Sequence, residues 1–196
     1  MSEATLALPS GVTTRRANLL TVATAVAGVA SVMVFVGLAA AYFDVRSLAS
    51  VWPPKKVSLD NYLGVTLTIT MLMSSVTAEW AVQAMKIGNR RHALTALALT
   101  PGFGFAFLNL VWYLVANVGF GPGSHAFGAL FYAFMAATIA NVLLGMGFLL
   151  IALVRTFGHQ VGPDDTSVAR AATAYWHFVA GAWLITFTAL YFFQHR

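Results

Sequence analysis

Two ionisable residues of this chain lie where hydrocarbon would surround them, and they are the side chains with chemistry to offer. Glu79 interrupts an otherwise uncharged stretch from Asn61 to Met85, and His177 lies inside another from Ala171 to His195. A carboxyl and an imidazole can exchange a proton, share hydrogen bonds or hold a cation. An acid at the centre of a membrane helix costs on the order of 2.5–3.5 kcal/mol. A protein partner, a water-filled pocket, a lipid headgroup or protonation must therefore offset it. At about 1.5 Å rise per residue, and with the first segment taken as Asn61–Gly88, Glu79 falls roughly 7 Å to one side of the middle, and His177 lies a few residues to the same side of the middle of its own segment. That matching depth predicts a shared hydrogen-bonded network that includes Gln83, one turn beyond Glu79. Two plainer arrangements stay open: Glu79 reaching toward Lys86, Arg90 and the interface, and His177 donating to a carbonyl.

The remaining residues exclude most membrane chemistries. A b-type haem needs two intramembrane histidines on facing helices. Of His92, His125, His159, His177 and His195, only His177 is deep in a span. An intramembrane hydrolase needs a serine nucleophile beside a histidine base. Ser74 and Ser75 are the inner serines available to His177, and they sit on an ordinary small-residue face. There is no cysteine, so thiolate sites and disulfides are ruled out. The six acids Glu3, Asp44, Asp60, Glu79, Asp164 and Asp165 are scattered, and no glycine-rich phosphate loop opens a helix. No basic block alternates with aromatics, which removes nucleic acid as a partner. The chain is expected to hold no catalytic residue, no metal and no cofactor of its own.

Composition places these residues in a membrane. Of 196 residues, 59% are hydrophobic and 9% charged, with mean hydropathy +0.78. A water-soluble domain carries about a quarter charged residues, so this chain cannot cover a wet surface. Five spans follow, near 18–43, 61–85, 93–116, 126–154 and 171–193, each longer than the roughly 20 residues a bilayer core requires. The uncharged run from His92 to Val154 is too long for one helix. Asn117-Val118-Gly119-Phe120-Gly121-Pro122-Gly123-Ser124 divides it. The fold class is all-α, a polytopic bundle forming one domain over residues 18–196 behind a flexible tail at 1–17.

Seven basic residues (Arg15, Arg16, Lys86, Arg90, Arg91, Arg155 and Arg170) flank one side of these spans, against Arg46, Lys55, Lys56 and Arg196 on the other. The bias predicts a cytoplasmic N-terminus. Arg15-Arg16 before an apolar stretch could open a signal peptide, but about 25 apolar residues exceed a signal core of 7–15, so the stretch reads as a retained anchor. Ala27 and Ser31, Ala133 and Ala137, and Ala136 and Ala140, with Gly145, Gly147 and Gly181, are small residues that favour close helix packing. Pro101-Gly102 reads as a packing kink.

The string Tyr175-Trp176-His177-Phe178-Val179, with Trp183 beyond it, closely resembles the terminal signature of subunit III of the haem-copper terminal oxidases. Trp52-Pro53-Pro54 resembles that family's Trp-Pro-Pro. Ser75-Val76-Thr77-Ala78-Glu79-Trp80-Ala81, leading to Met85-Lys86-Ile87-Gly88-Asn89-Arg90-Arg91, is similar to its following helix and turn. Gly104-Phe105-Ala106-Phe107-Leu108 stands where the family has a glycine and aromatics. The resemblance runs from about Ser31 to Tyr191 and suits the short five-helix bacterial form, which lacks two N-terminal helices. There are departures. Val32 follows Ser31 where the family has Glu, and Asn109-Leu110-Val111-Trp112-Tyr113 replaces a Gln-x-x-Glu-Tyr pattern. Thr138 and Asn141 replace two histidines, and Ala180 replaces an aspartate. Any proton-buffering or lipid-holding role of those positions is thereby put in doubt.

The resemblance implies a non-catalytic accessory subunit of an aerobic respiratory haem-copper oxidase, in a bacterial cell membrane. Its partners would be the catalytic subunit I, other oxidase subunits and membrane lipids. Haem and copper would reside in that catalytic subunit, and this chain would stabilise it, hold phospholipid and assist proton uptake. Trp176, His177, Phe178 and Trp183 would fix the last helix, with Glu79, Trp80 and Gln83 in the cytoplasmic half of the larger helix group. The tryptophans serve equally well as interfacial anchors. Two alternatives remain: an accessory subunit of a nitric oxide reductase or another respiratory complex, and a small membrane transporter. The transporter would need repeats or broken helices, and the spans show no repeat.

Overall fold

A computed structural model describes residues 10–54, 57–159 and 166–193, with side chains from Leu19 onward. Among the described residues there are five α-helices and no strand: α1 Ser10–Leu48, α2 Asn61–Lys86, α3 Arg90–Asn117, α4 Ala126–Phe157 and α5 Ser167–Phe187. A π-helical turn, Thr188–Phe192, continues α5. The helices begin and end within a few residues of the expected spans, except that α1 already starts at Ser10, inside the expected tail. Residues 1–9 lie outside the described residues. α1 from Leu19, α2, α3 and α4 are long and apolar enough to cross a membrane. α5 is not among those four, since Arg170, Tyr175 and His177 dilute the first half of its sequence.

The helix ends are set locally. Asp60 caps α2 by accepting from the amides of Tyr62 at 2.9 Å and Leu63 at 3.5 Å. Asn89 caps α3 through His92 N at 3.3 Å. Between them Gly88 takes φ +72°, a left-handed conformation that costs glycine nothing and lets the chain reverse in three residues. Nδ1 of His125 accepts from Gly128 N at 2.7 Å and so caps α4. α3 is continuous through the buried Pro101.

Packing explains why a helix carrying Tyr175, Trp176 and His177 sits in the middle. α5 lies along α1, α2 and α4. It reaches α3 through Trp183, whose ring meets Phe107 edge-on at 4.9 Å. Thr173, Tyr175, Trp176 and Trp183 are therefore hydrogen-bonded to neighbouring helices, while His177 faces outward. α1 is peripheral. Gly28, Phe35 and Tyr42, seven residues apart, are its buried positions, a 3.5-residue seam of the kind that joins two helices. Its opposite face exposes Val22, Val26, Val29, Met33 and Val36, as a lipid-facing surface should.

Of the small residues expected at helix contacts, Gly145 is buried, whereas Ala27, Ala136 and Ala140 are exposed. Gly147 and Gly181 have nothing within 4 Å of where a Cβ would stand. Gly28, Gly64 and Gly104 take the close approaches as well, because each has an aromatic ring of α5 or its π-helical turn against it.

Candidate functional site

Glu79 and His177 meet because α2 and α5 are antiparallel. The Thr173 hydroxyl donates to the Ala78 carbonyl at 3.3 Å. Trp176 Nε1 donates to Ser74 Oγ at 2.9 Å, and Trp183 Nε1 to Thr68 Oγ1 at 3.0 Å. Side chains on a helix lean toward its own N-terminus, so on antiparallel helices Glu79 and His177 lean toward each other. Nε2 of His177 stands 3.8 Å from Oε2 of Glu79, with the two side chains 45% and 50% exposed. Gln83 Nε2 donates to Glu79 Oε1 at 2.8 Å.

Arg90 is engaged elsewhere. Its guanidinium donates to the carbonyls of Thr156 at 3.3 Å and Phe157 at 2.7 Å, which closes the C-terminus of α4. The three polar residues thus share one open face of the bundle. At that separation the pair is weakly coupled, about 0.6 kcal/mol, the average for polar pairs between membrane helices. A double-mutant cycle on Glu79→Gln and His177→Phe should return a coupling of that size. Additive losses would show that the two side chains ignore each other.

The aromatic residues around the pair have a different task. Trp176 is fully buried. A Cβ on Gly104 of α3 would lie 2.9 Å from its ring, and so would one on Gly145 of α4. One indole therefore fills space that two glycines leave open and hydrogen-bonds a third helix. Phe178 lies against Gly28, joining α5 to α1. Trp80 is partly exposed and meets the His92 ring edge-on at 5.8 Å. At the opposite end Trp52 is buried and donates to the Tyr42 hydroxyl at 2.9 Å. Its ring also packs on Phe127 at 5.4 Å, so the Trp-Pro-Pro loop seals α1 against α4.

A second polar cluster escaped the sequence reading. Asn141 of α4 is buried, and its Oδ1 accepts from Ser31 Oγ of α1 and Tyr175 OH of α5, each at 2.8 Å. Asn141 stood out in the sequence only as a departure from a family pattern, and Ser31 only as a small residue spaced with Ala27. Lying 110 positions apart, they gave no spacing signal, and only the folded bundle brings them together. Asn141→Leu would strand two hydroxyls inside the bundle, each costing about 1–3 kcal/mol. The variant should lose stability by at least one such increment in detergent melts. Equal melting of the variant and the wild type would show that the cluster carries no strength.

Among the described residues no three His, Asp or Glu side chains come together as metal ligands. The fold and site define a class: a multi-pass helical membrane protein whose interior is packed with aromatics and whose ionisable pair faces outward. The family model described as Cytochrome c oxidase subunit III matches residues 10–195, and the chain belongs to that family. It is 33% identical to "Cytochrome c oxidase subunit 3" of Gallus gallus over 74% of this chain and 56% of that protein. It therefore spans little more than half of that relative. It is 30% identical to "Probable cytochrome c oxidase subunit 3" of Mycobacterium bovis, over 91% of this chain and 90% of the relative. A protein of the same description from Nocardia farcinica is also 30% identical, over 90% and 89%.

Proposed function

We propose that the chain is a non-catalytic accessory subunit of an aerobic haem-copper oxidase, stabilising the subunit that carries haem and copper. The observation that carries this reading is the placement of its polar groups. The interior is closed by Trp176 and Trp183, both buried, and among the described residues holds no cluster of metal-ligating side chains. Glu79, Gln83 and His177 instead face outward, where a partner can meet them. Membership of the subunit III family supports the same reading. The bundle crosses a bacterial cell membrane five times, with α5 as the fifth span. Its shorter apolar run is tolerated because Thr173, Tyr175, Trp176 and Trp183 hydrogen-bond to neighbouring helices. The basic residues Lys86, Arg90, Arg91, Arg155 and Arg170 lie at one end of the bundle, which supports a cytoplasmic location for that end and the N-terminus.

On this reading the face that carries Glu79, Gln83 and His177 acts in subunit contact, and bound phospholipid fills the grooves between helices. Deleting the chain from its native membrane tests the assignment. The oxidase should still assemble haem and copper and reduce oxygen initially, then lose activity faster over repeated turnover. An oxidase with unchanged activity and lifetime would contradict it.

A further inference from the structure

We propose that the outer α2–α5 face centred on Glu79 and His177 receives a transmembrane helix of the partner complex. That helix would present a hydrogen-bond donor, cationic by preference, to the Glu79 carboxylate. The inference rests on the accessory-subunit reading and adds which surface makes the contact.

The first argument is unused bonding capacity. A carboxylate offers about four acceptor positions, and Glu79 accepts one hydrogen bond, from Gln83. His177 Nε2, at 3.8 Å, is beyond hydrogen-bond reach. Both side chains are about half open, at 50% and 45% exposure. One turn nearer the membrane middle, Ser75 Oγ is buried with no partner.

Depth decides what can meet these groups. Glu79 lies roughly 7 Å from the middle of its span at about 1.5 Å per residue. The headgroup boundary is about 15 Å from the middle, half of a ~30 Å hydrocarbon core. Acyl chains hold no donors, so a lipid-covered face would leave an ionisable group in hydrocarbon with its capacity unspent. A protein helix brings donors to that depth. The contrast with α1 is direct, since its exposed stripe of Val22, Val26, Val29 and Met33 carries nothing polar and suits acyl chains.

Shape agrees with the polarity. Gly181 lies one turn beyond His177, and a Cβ there would meet nothing within 4 Å. With the exposed Ala174 on the other side of His177, α5 offers a shallow notch where another helix backbone can approach closely.

Photo-crosslinking of the full chain in its native membrane tests the assignment. A benzophenone side chain placed at Val76 or Leu184, both exposed on the proposed face, should give adducts with another polypeptide. At Val26 or Met33 of α1 it should give lipid adducts alone. Glu79→Leu should release the chain from the complex at severalfold lower detergent concentration, while the purified chain melts as wild type does.

Lipid-only adducts at Val76 and Leu184, with the chain still co-purifying with oxidase subunits, would overturn the inference and leave the accessory reading intact. Polypeptide adducts from α1 instead would do the same. A chain that co-purifies with no oxidase subunit would sink the accessory reading, and this inference with it.

Discussion

Trp176→Ala is expected to cost the bundle about 3–5 kcal/mol, the range for removing a buried tryptophan. Lipid tails are as apolar as the indole, so loss of hydrophobic transfer contributes less here than in a water-soluble core. The cavity and the lost dispersion contacts contribute most, because Trp176 is fully buried and fills the gap between Gly104 and Gly145. Neither glycine has a side chain that could collapse into the hole. Ser74 Oγ would also lose the indole N–H that donates to it. Trp176→Phe keeps part of the volume and should fall between wild type and alanine. Thermal melting in mild detergent, followed by helical circular dichroism, reads the series. A Trp176→Ala protein melting with wild type would refute the keystone role.

Gly28→Leu is expected to detach one helix rather than loosen the whole bundle. A Cβ at Gly28 runs into the Phe178 ring, and overpacking of this kind costs about 1–3 kcal/mol. α1 can swing away, since its helix contacts are mainly with α5 and α4, while α2 and α3 form their own large contact. The melt should therefore gain an early step instead of shifting as a whole. The chain has no cysteine, so spin labels on cysteines introduced at Val26 and Arg170 report α1 against α5 without background. Their separation should lengthen and broaden in Gly28→Leu. An unchanged distance with a uniformly lower melt would contradict this local mechanism.

The two variants mark what the sequence could and could not disclose. Composition and uncharged run length were enough to place the helices, because both follow from the cost of burying charge and backbone in hydrocarbon. The meeting of Glu79 and His177 was legible as matched depth, since rise per residue converts position into height. The open side of that pair was not legible, because facing requires knowing which helices neighbour α2 and α5. Packing glycines were harder still. Gly147 and Gly181 looked like contacts by spacing, whereas Gly28 and Gly64 do the work with ring faces as partners. A small residue matters only when a large one opposes it, and the partner is remote in sequence. The Asn141 cluster fails for the same reason, with Ser31 and Tyr175 on two other helices.

The aromatic string of α5 separates into two roles. Tyr175, Trp176, Phe178 and Trp183 face inward or toward α1 and hold helices together, and His177 alone turns outward. The string is therefore a packing element with one outward residue. Its neighbours across α2 are Glu79 and Gln83, which completes the face proposed for partner contact.

The account turns on whether this chain lives in an oxidase complex. The most direct measurement is purification of the tagged chain from native membranes in mild detergent, with identification of the co-purifying chains and a reduced-minus-oxidised haem spectrum. The account predicts a haem-copper catalytic subunit in stoichiometric amount and a haem spectrum that belongs to that subunit. A haem-free, self-associated chain, recovered under conditions that keep respiratory complexes intact, would contradict it.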